Sequence, residues 1–228
     1  HAADFCARSG GAIIRFVDEG CDVKIYDLTY GEKCESPLLW NENREITVAE
    51  VKEIRREEIE AAAAVLGAPI ECLDFDDSPL LVGPERRAQI LEVIRAFQPD
   101  VVLCHWINDY LHPDHVEAMN GVIWASRYCF RPGIKTDYPP CPAPELVCYE
   151  PIAGIGPVVG YKPNLYVDIT AVWERTAEAL RALASQPELP ERYETIGRYR
   201  AVEAQICANM KKSQVAEAFV RLGVEAAP

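Results

Sequence analysis

The chain has only four histidines, and three of them lie within eleven positions. His1 and Asp4 form an HxxD pair at the start of one predicted helix, and His112 and His115 form an HPDH pair at the start of another, just after His105 closes a strand. Residues i and i+3 share one face of a helix, so each pair can present two ligands in one direction. Two imidazoles and one carboxylate with an open position suit a catalytic Zn²⁺ or Fe²⁺ ion. We therefore expect His1, Asp4 and His115 to bind a divalent metal ion.

A simpler explanation of HPDH is that it only starts a helix. Proline is favoured in the first turn, and Asp114 would complement the helix dipole. The HxxD pair stands at a comparable strand-to-helix junction, which favours the metal site over this alternative.

Hydrophobic periodicity predicts alternating strands and helices. Helices are expected at 5–19, 47–67, 84–97 and 113–128, strands at 22–30, 70–75, 101–105, 145–150 and 164–169, loops at 131–144 and 151–163, and C-terminal helical segments at 171–185, 190–210 and near 215–222. This order predicts an α/β fold, a Rossmann-like, mostly parallel sheet flanked by helices, with C-terminal helices. The pattern of a parallel sheet also predicts a strand before His1, so we expect the natural protein to begin earlier.

Length and charge restrict the class of protein. The 228 residues are expected to form a single domain, with an α/β core at 1–170 and a helical part at 171–228. The net charge of −13 disfavours binding to nucleic acid or to an anionic membrane, and no apolar run is long enough to span a bilayer. Nine cysteines without a CxxC motif are expected to be reduced thiols of a cytoplasmic protein.

The motifs resemble those of a known superfamily. The segment HAADFCARSGGAI resembles the N-terminal HPDD and GG signature of the PIG-L/LmbE-like zinc-dependent deacetylases, and HPDH resembles their second motif. The resemblance implies a Rossmann-like fold, Zn²⁺ (with Fe²⁺ or Co²⁺ possible) held by His1, Asp4 and His115, and frequent assembly into homo-oligomers. It further implies that His112 polarises a carbonyl or donates a proton and that Asp114 orients it.

One departure from the signature bears on the reaction. Ala3 stands where the family has the aspartate that acts as general base, and general acid–base catalysis contributes ~10²–10⁴-fold. Loss of that group leaves three interpretations: an inactive relative that only binds metal or a partner, an enzyme with a relocated base, or an enzyme with a different reaction. An inactive relative should have lost ligands too, yet the histidines and Asp4 are all present.

The third interpretation gains support from a second resemblance. HxADF followed by GEKCESPLLW is similar to a subgroup of the superfamily that hydrates 4-oxalomesaconate (4-carboxy-2-hydroxymuconate) in aromatic catabolism. The subgroup implies that Glu35 activates water and that Ser36 contacts substrate. Arginine pairs well with carboxylates, so Arg8 and Arg55 are expected to bind a small carboxylate substrate, although Arg55 also fits a solvated helix face and Glu35 an exposed loop.

A second departure keeps another activity open. The subgroup places a catalytic histidine shortly after its FEP segment, and this chain has Ile152 there, in YEPI, but keeps His112. The sequence therefore predicts a metal-dependent hydratase, a hydro-lyase, with a zinc-dependent deacetylase or amidohydrolase as the alternative.

Overall fold

The computed structural model describes residues 1–152 and 155–223, which form a mixed α/β structure. The chain divides into two compact units: unit 1 contains His1–Ser78 and Tyr166–Ala218, and unit 2 contains Pro79–Leu165 and the chain from Phe219. In chain order the elements are α1 Asp4–Asp18, β1 Ile25–Asp27, α2 Pro37–Glu42, α3 Val48–Leu66, β2 Ile70–Cys72, α4 Pro84–Phe97, β3 Val101–Cys104, α5 Pro113–Tyr128, β4 Glu145–Tyr149, β5 Leu165–Asp168, a 3-10 turn Thr170–Val172, α6 Trp173–Ala182, α7 Leu189–Cys207 and β6 Ala216–Leu222.

Unit 1 is a parallel strand pair packed with helices. Strands β1 and β2 pair in parallel, with Ile25 opposite Ile70 and Asp27 opposite Cys72. The core of this unit contains Ile14 of α1, which is buried with apolar residues of α3 and α6. Parallel pairing leaves the end of β1 at Asp27, and the chain from there leads into the turn that carries Glu35.

Two contacts fix helix α1, which begins at Asp4. A side chain at Gly11 would place its Cβ 2.5 Å from Ile169 Cγ2, so only glycine permits this close packing. The Glu217 carboxylate accepts hydrogen bonds from the backbone N–H groups of Gly11 and Ala12, both at 2.8 Å. The helix start that carries His1 and Asp4 therefore stands on a firmly anchored segment.

The long helix α3 begins and ends as the sequence predicts. Thr47 and Glu50 form a capping box, in which the Thr47 hydroxyl accepts from Glu50 N–H and the Glu50 carboxylate accepts from Thr47 N–H. Gly67 ends the helix in the left-handed conformation, with φ of 81°. These caps set the position of Arg55 and Glu58 along the helix.

Unit 2 has a mixed sheet. Strand β4 pairs with β3 in parallel and with the end of β6 in antiparallel register, where Cys148 lies opposite Val220. Helices α4 and α5 pack on each other, and the buried Arg95 of α4 donates to the backbone carbonyls of Cys129, Arg131 and Ile134. This arginine ties down the proline-rich loop at 131–144.

Several details differ from the sequence prediction. The prediction of a helical segment near 215–222 is wrong, because this segment forms strand β6. The C-terminal part at 171–228 is therefore not wholly helical. Burial of Ala218, Phe219 and Val220 in β6 outweighs the helix propensity of its alanines and Glu217. The short helix α2 is an element that the prediction lacks, and β1 covers only the middle of the expected strand. Residues 153–154 of the predicted loop, and 224–228, lie outside the described residues.

No helix in the described ranges 1–152 and 155–223 is long and apolar enough to cross a membrane. The organisation of residues 1–228 as a single domain stays a prediction.

Candidate functional site

In unit 1, the start of α1 brings together two of the predicted metal ligands. His1 and Asp4 are both buried, and they offer ligand atoms within 4.8 Å of each other. Arg8, one helical turn later, donates from Nε to Asp4 Oδ1 at 2.8 Å. This charge-assisted bond fixes the direction of the Asp4 carboxylate. Arg8, predicted to bind substrate, thus has a contact with a predicted metal ligand.

The turn after β1 carries Glu35 back toward the same helix start. Gly31 adopts φ of 66°, and a Cβ there would lie 3.0 Å from the Glu35 side chain, so glycine is required. Glu35 Oε2 accepts the Ala3 N–H at 3.1 Å, and Oε1 lies 4.0 Å from His1 Nδ1. The Ser36 hydroxyl donates to the Gly31 carbonyl and is fully buried, so in unit 1 it stabilises the turn.

Further contacts hold the backbone of this turn. The Asp77 carboxylate accepts the N–H groups of Lys33 and Cys34, and Trp40 Nε1 donates to the Glu32 carbonyl at 2.7 Å. Burial raises the pKa of the Cys34 thiol to about 11. These contacts hold the turn that carries Glu35.

Arg55 of α3 lies next to Glu35. It is 0% exposed, and its Nη2 is 3.6 Å from Glu35 Oε2. The alternative of a solvated helix face is excluded for Arg55, whereas its neighbour Arg56 does lie on the exposed face and pairs with Glu53 and Glu60.

Asp27, at the end of β1, is an acidic group of this unit that the sequence reasoning missed. Burial, and then the neighbouring charges of Asp4 and Glu35, raise the pKa of its carboxyl well above the ordinary value. The available signal was its place at the carboxyl end of a parallel strand, where polar residues collect in α/β folds.

In unit 2, the three histidines predicted around HPDH form a stack of rings. The His115 ring lies between His112, at a centroid distance of 3.9 Å, and His105, at 4.0 Å, with nearly parallel planes. Tyr149 of β4 meets His105 edge-on at 4.9 Å. The stack holds the His115 imidazole in one orientation.

Asp109 fixes the protonation of His115. Its Oδ2 lies 2.9 Å from His115 Nδ1 and also accepts the Ile152 N–H, and Asp109 is 0% exposed. An ionised Asp109 can only accept, so this pairing would put the proton on His115 Nδ1. A carboxylate behind an imidazole in this way is typical of metal-ligating histidines. Sequence reasoning missed Asp109, because nothing in the spacing of HWINDYLHPDH marks it.

Asp114, the predicted orienting partner of His112, accepts the Leu80 N–H at 3.0 Å in the same unit. This bond ties the start of α5 to the segment before α4.

The donor types fit a divalent metal ion. Unit 1 offers the imidazole of His1 and the carboxylate of Asp4, and unit 2 offers the buried imidazole of His115. This is the mixed nitrogen and oxygen donor set that Zn²⁺ and related ions prefer.

Known proteins resemble the chain in sequence and in fold. The chain is 34% identical to 4-oxalmesaconate hydratase of Pseudomonas putida over 209 residues, which cover 90% of this chain and 78% of that protein. It is 32% identical to diacetylchitobiose deacetylase of Thermococcus kodakarensis over 192 residues, covering 82% of this chain and 67% of that protein.

Among solved structures, GalB, the 4-carboxy-2-hydroxymuconate hydratase of Pseudomonas putida KT2440, superposes with a TM-score of 0.93 at 31% identity, covering 100% of this chain and 95% of that one. The family described as PIG-L, GlcNAc-PI de-N-acetylase, matches residues 1–126. The chain belongs to the PIG-L family.

Proposed function

We propose that this protein is a metal-dependent hydratase, a hydro-lyase that adds water to an unsaturated oxo-carboxylic acid of the 4-oxalomesaconate type. The similarity to 4-oxalmesaconate hydratase and to GalB supports the reaction class. The observation that carries the proposal is the bond from Ala3 N–H to Glu35 Oε2. It places a carboxylate from another segment beside the position at which the family signature has its aspartate.

His1, Asp4 and His115 are proposed to hold one divalent ion, Zn²⁺ or alternatively Fe²⁺ or Co²⁺. When bound, such an ion supplies Lewis acidity, which lets water act as a nucleophile near neutral pH. Asp109 supports this role by orienting His115, as Arg8 does by orienting Asp4.

Glu35 is proposed to direct the water. Its side chain is only 12% exposed, and one of its oxygens is fixed by Ala3 N–H, which leaves the other oxygen to accept a proton from the attacking water. Hydration of a carbon–carbon double bond adds the water oxygen to one carbon and a proton to the other, so no amine leaves. An aspartate that protonates a leaving amine is therefore not needed at position 3.

His112 is proposed to deliver the proton to carbon. His112 is the N-cap residue of α5. Its ring stacks on the His115 ring, and this contact sets the orientation of the His112 ring. Ile152 cannot donate a proton, so the subgroup's histidine has no counterpart there. Assembly into a homo-oligomer and contact of Arg8 with the substrate carboxylates stay predictions.

The deacetylase remains the second candidate because of the 32% identity to diacetylchitobiose deacetylase. Two assays on the purified, metal-loaded protein separate the candidates: the loss of ultraviolet absorbance of 4-carboxy-2-hydroxymuconate, and the release of amine from diacetylchitobiose. We expect turnover in the first assay, and a fall in that turnover of ~10²–10⁴-fold in Glu35→Gln. Turnover confined to the second assay would refute the hydratase.

A further inference from the structure

Arg55 is surrounded by protein groups of unit 1 on every edge of its guanidinium. Nε donates to the Tyr30 carbonyl at 3.3 Å, Nη1 to Glu58 Oε2 at 2.6 Å, and Nη2 to Gln186 Oε1 at 2.9 Å. With 0% exposure, the side chain has no surface left for a substrate carboxylate. We therefore expect Arg55 to act through a neighbouring residue and not by contact with the substrate.

Glu35 is the neighbour that faces the proposed chemistry. The distance of 3.6 Å between Arg55 Nη2 and Glu35 Oε2 makes an ion pair, and the same oxygen accepts Ala3 N–H at 3.1 Å. The carbonyl that Arg55 Nε contacts belongs to Tyr30, directly before the Gly31 turn that carries Glu35. Arg55 thus holds Glu35 twice, by charge at the carboxylate and by a hydrogen bond at the base of its turn.

Glu58 fixes Arg55 in turn. It lies three residues later on α3, and its Oε1 accepts both the N–H and the hydroxyl of Ser185, at 2.8 and 2.7 Å. Arg55 is therefore a single cation between two carboxylates, and Glu58 takes its short hydrogen bond. The positive charge of Arg55 attracts Glu35 Oε2, and the other carboxylate oxygen, Oε1, has lone pairs that can accept a proton.

We propose that Arg55 is a positioning residue that holds the Glu35 carboxylate for water activation, and that Glu58 and Ser185 hold Arg55 in place. This inference rests on the proposed hydratase function, and it replaces substrate binding as the role of Arg55.

The first test is the kinetics of Arg55→Lys and Glu58→Gln with 4-carboxy-2-hydroxymuconate. Displacing a catalytic group by about 1 Å can cost ~10²-fold, so we expect kcat to fall by ~10–100-fold while KM changes by less than about threefold. The matched control is Arg56→Lys, the exposed neighbour, which should leave both constants unchanged. A rise in KM at unchanged kcat in Arg55→Lys would show a substrate ligand instead and would overturn the proposal.

The second test does not depend on turnover. Crystal structures of the wild type, Arg55→Lys and Glu58→Gln should show the Glu35 carboxylate leaving Ala3 N–H in both variants. A carboxylate still bonded to Ala3 N–H would overturn the proposal even if the wild type hydrates the substrate. If the wild type shows no hydratase turnover, the proposed function fails, and the crystal structures alone decide the role of Arg55. Should Arg55→Lys not fold, Glu58→Gln, which retains the acceptor for Ser185, carries both tests.

Discussion

The two units hold their candidate functional side chains by different interactions. In unit 1, each functional carboxylate has a guanidinium beside it: Arg8 for Asp4 and Arg55 for Glu35. In unit 2, imidazole rings stack on one another, and Asp109 is the carboxylate that sets the proton on His115.

This difference separates two tasks. Carboxylates held next to arginines have fixed directions, which suits a metal ligand and a group that must accept a proton from water. Imidazole changes its proton state near neutral pH, which suits a group that donates one. We therefore propose that Glu35 of unit 1 accepts a proton from water and that His112 of unit 2 donates one to carbon, and separate variants test the groups of each unit.

The largest effect is expected from Glu35→Gln, which removes the base but preserves shape. General acid–base catalysis contributes ~10²–10⁴-fold, so kcat should fall within that range while the metal content stays at the wild-type level. Steady-state kinetics together with elemental analysis check this. Activity within about threefold of the wild type would remove Glu35 from the mechanism.

The corresponding change in unit 2 is Asp109→Asn, which weakens the orientation of His115. Loss of such a supporting carboxylate typically costs 10–100-fold in metal affinity or activity, so the dissociation constant for Zn²⁺, measured by competition with a chelator, should rise about 10–100-fold. Glu117→Gln is the control, because Glu117 accepts Val82 N–H in the same unit. Equal affinities for Asp109→Asn and the wild type would contradict the assigned role.

A smaller effect is expected on stability from Gly11→Ala. The added Cβ would lie 2.5 Å from Ile169 Cγ2 in the core of unit 1, and overpacking of this kind costs about 1–3 kcal/mol. Gly133→Ala in unit 2 is the control, since an added Cβ there meets nothing within 4 Å. Denaturant unfolding of both variants gives the difference, and equal stabilities would contradict the packing account of the double glycine.

The sequence predicts the groups that local spacing controls. The HxxD and HPDH pairs, the capping box at Thr47 and the end of α3 at Gly67 all depend on neighbours within a few residues. The prediction fails at strand β6, because β6 pairs with β4, which is far away in the chain. This pairing outweighs the local helix propensity of the segment.

The same reason explains the missed and reassigned site residues. Asp109 acts on His115 through the fold of a loop, and Asp27 gains its environment from other segments. Arg55 has acidic neighbours at helical spacing, which fits an exposed face, and only the tertiary contacts with Tyr30 and Gln186 show that it is buried.

The central claim is the proposal that His1, Asp4 and His115 bind one divalent ion. Its most direct test is elemental analysis of the purified wild type and of Asp4→Asn and His115→Ala, each checked for folding by circular dichroism. We predict about one ion per chain in the wild type and a near-complete loss in both variants. Retention of the ion in either folded variant would contradict the account.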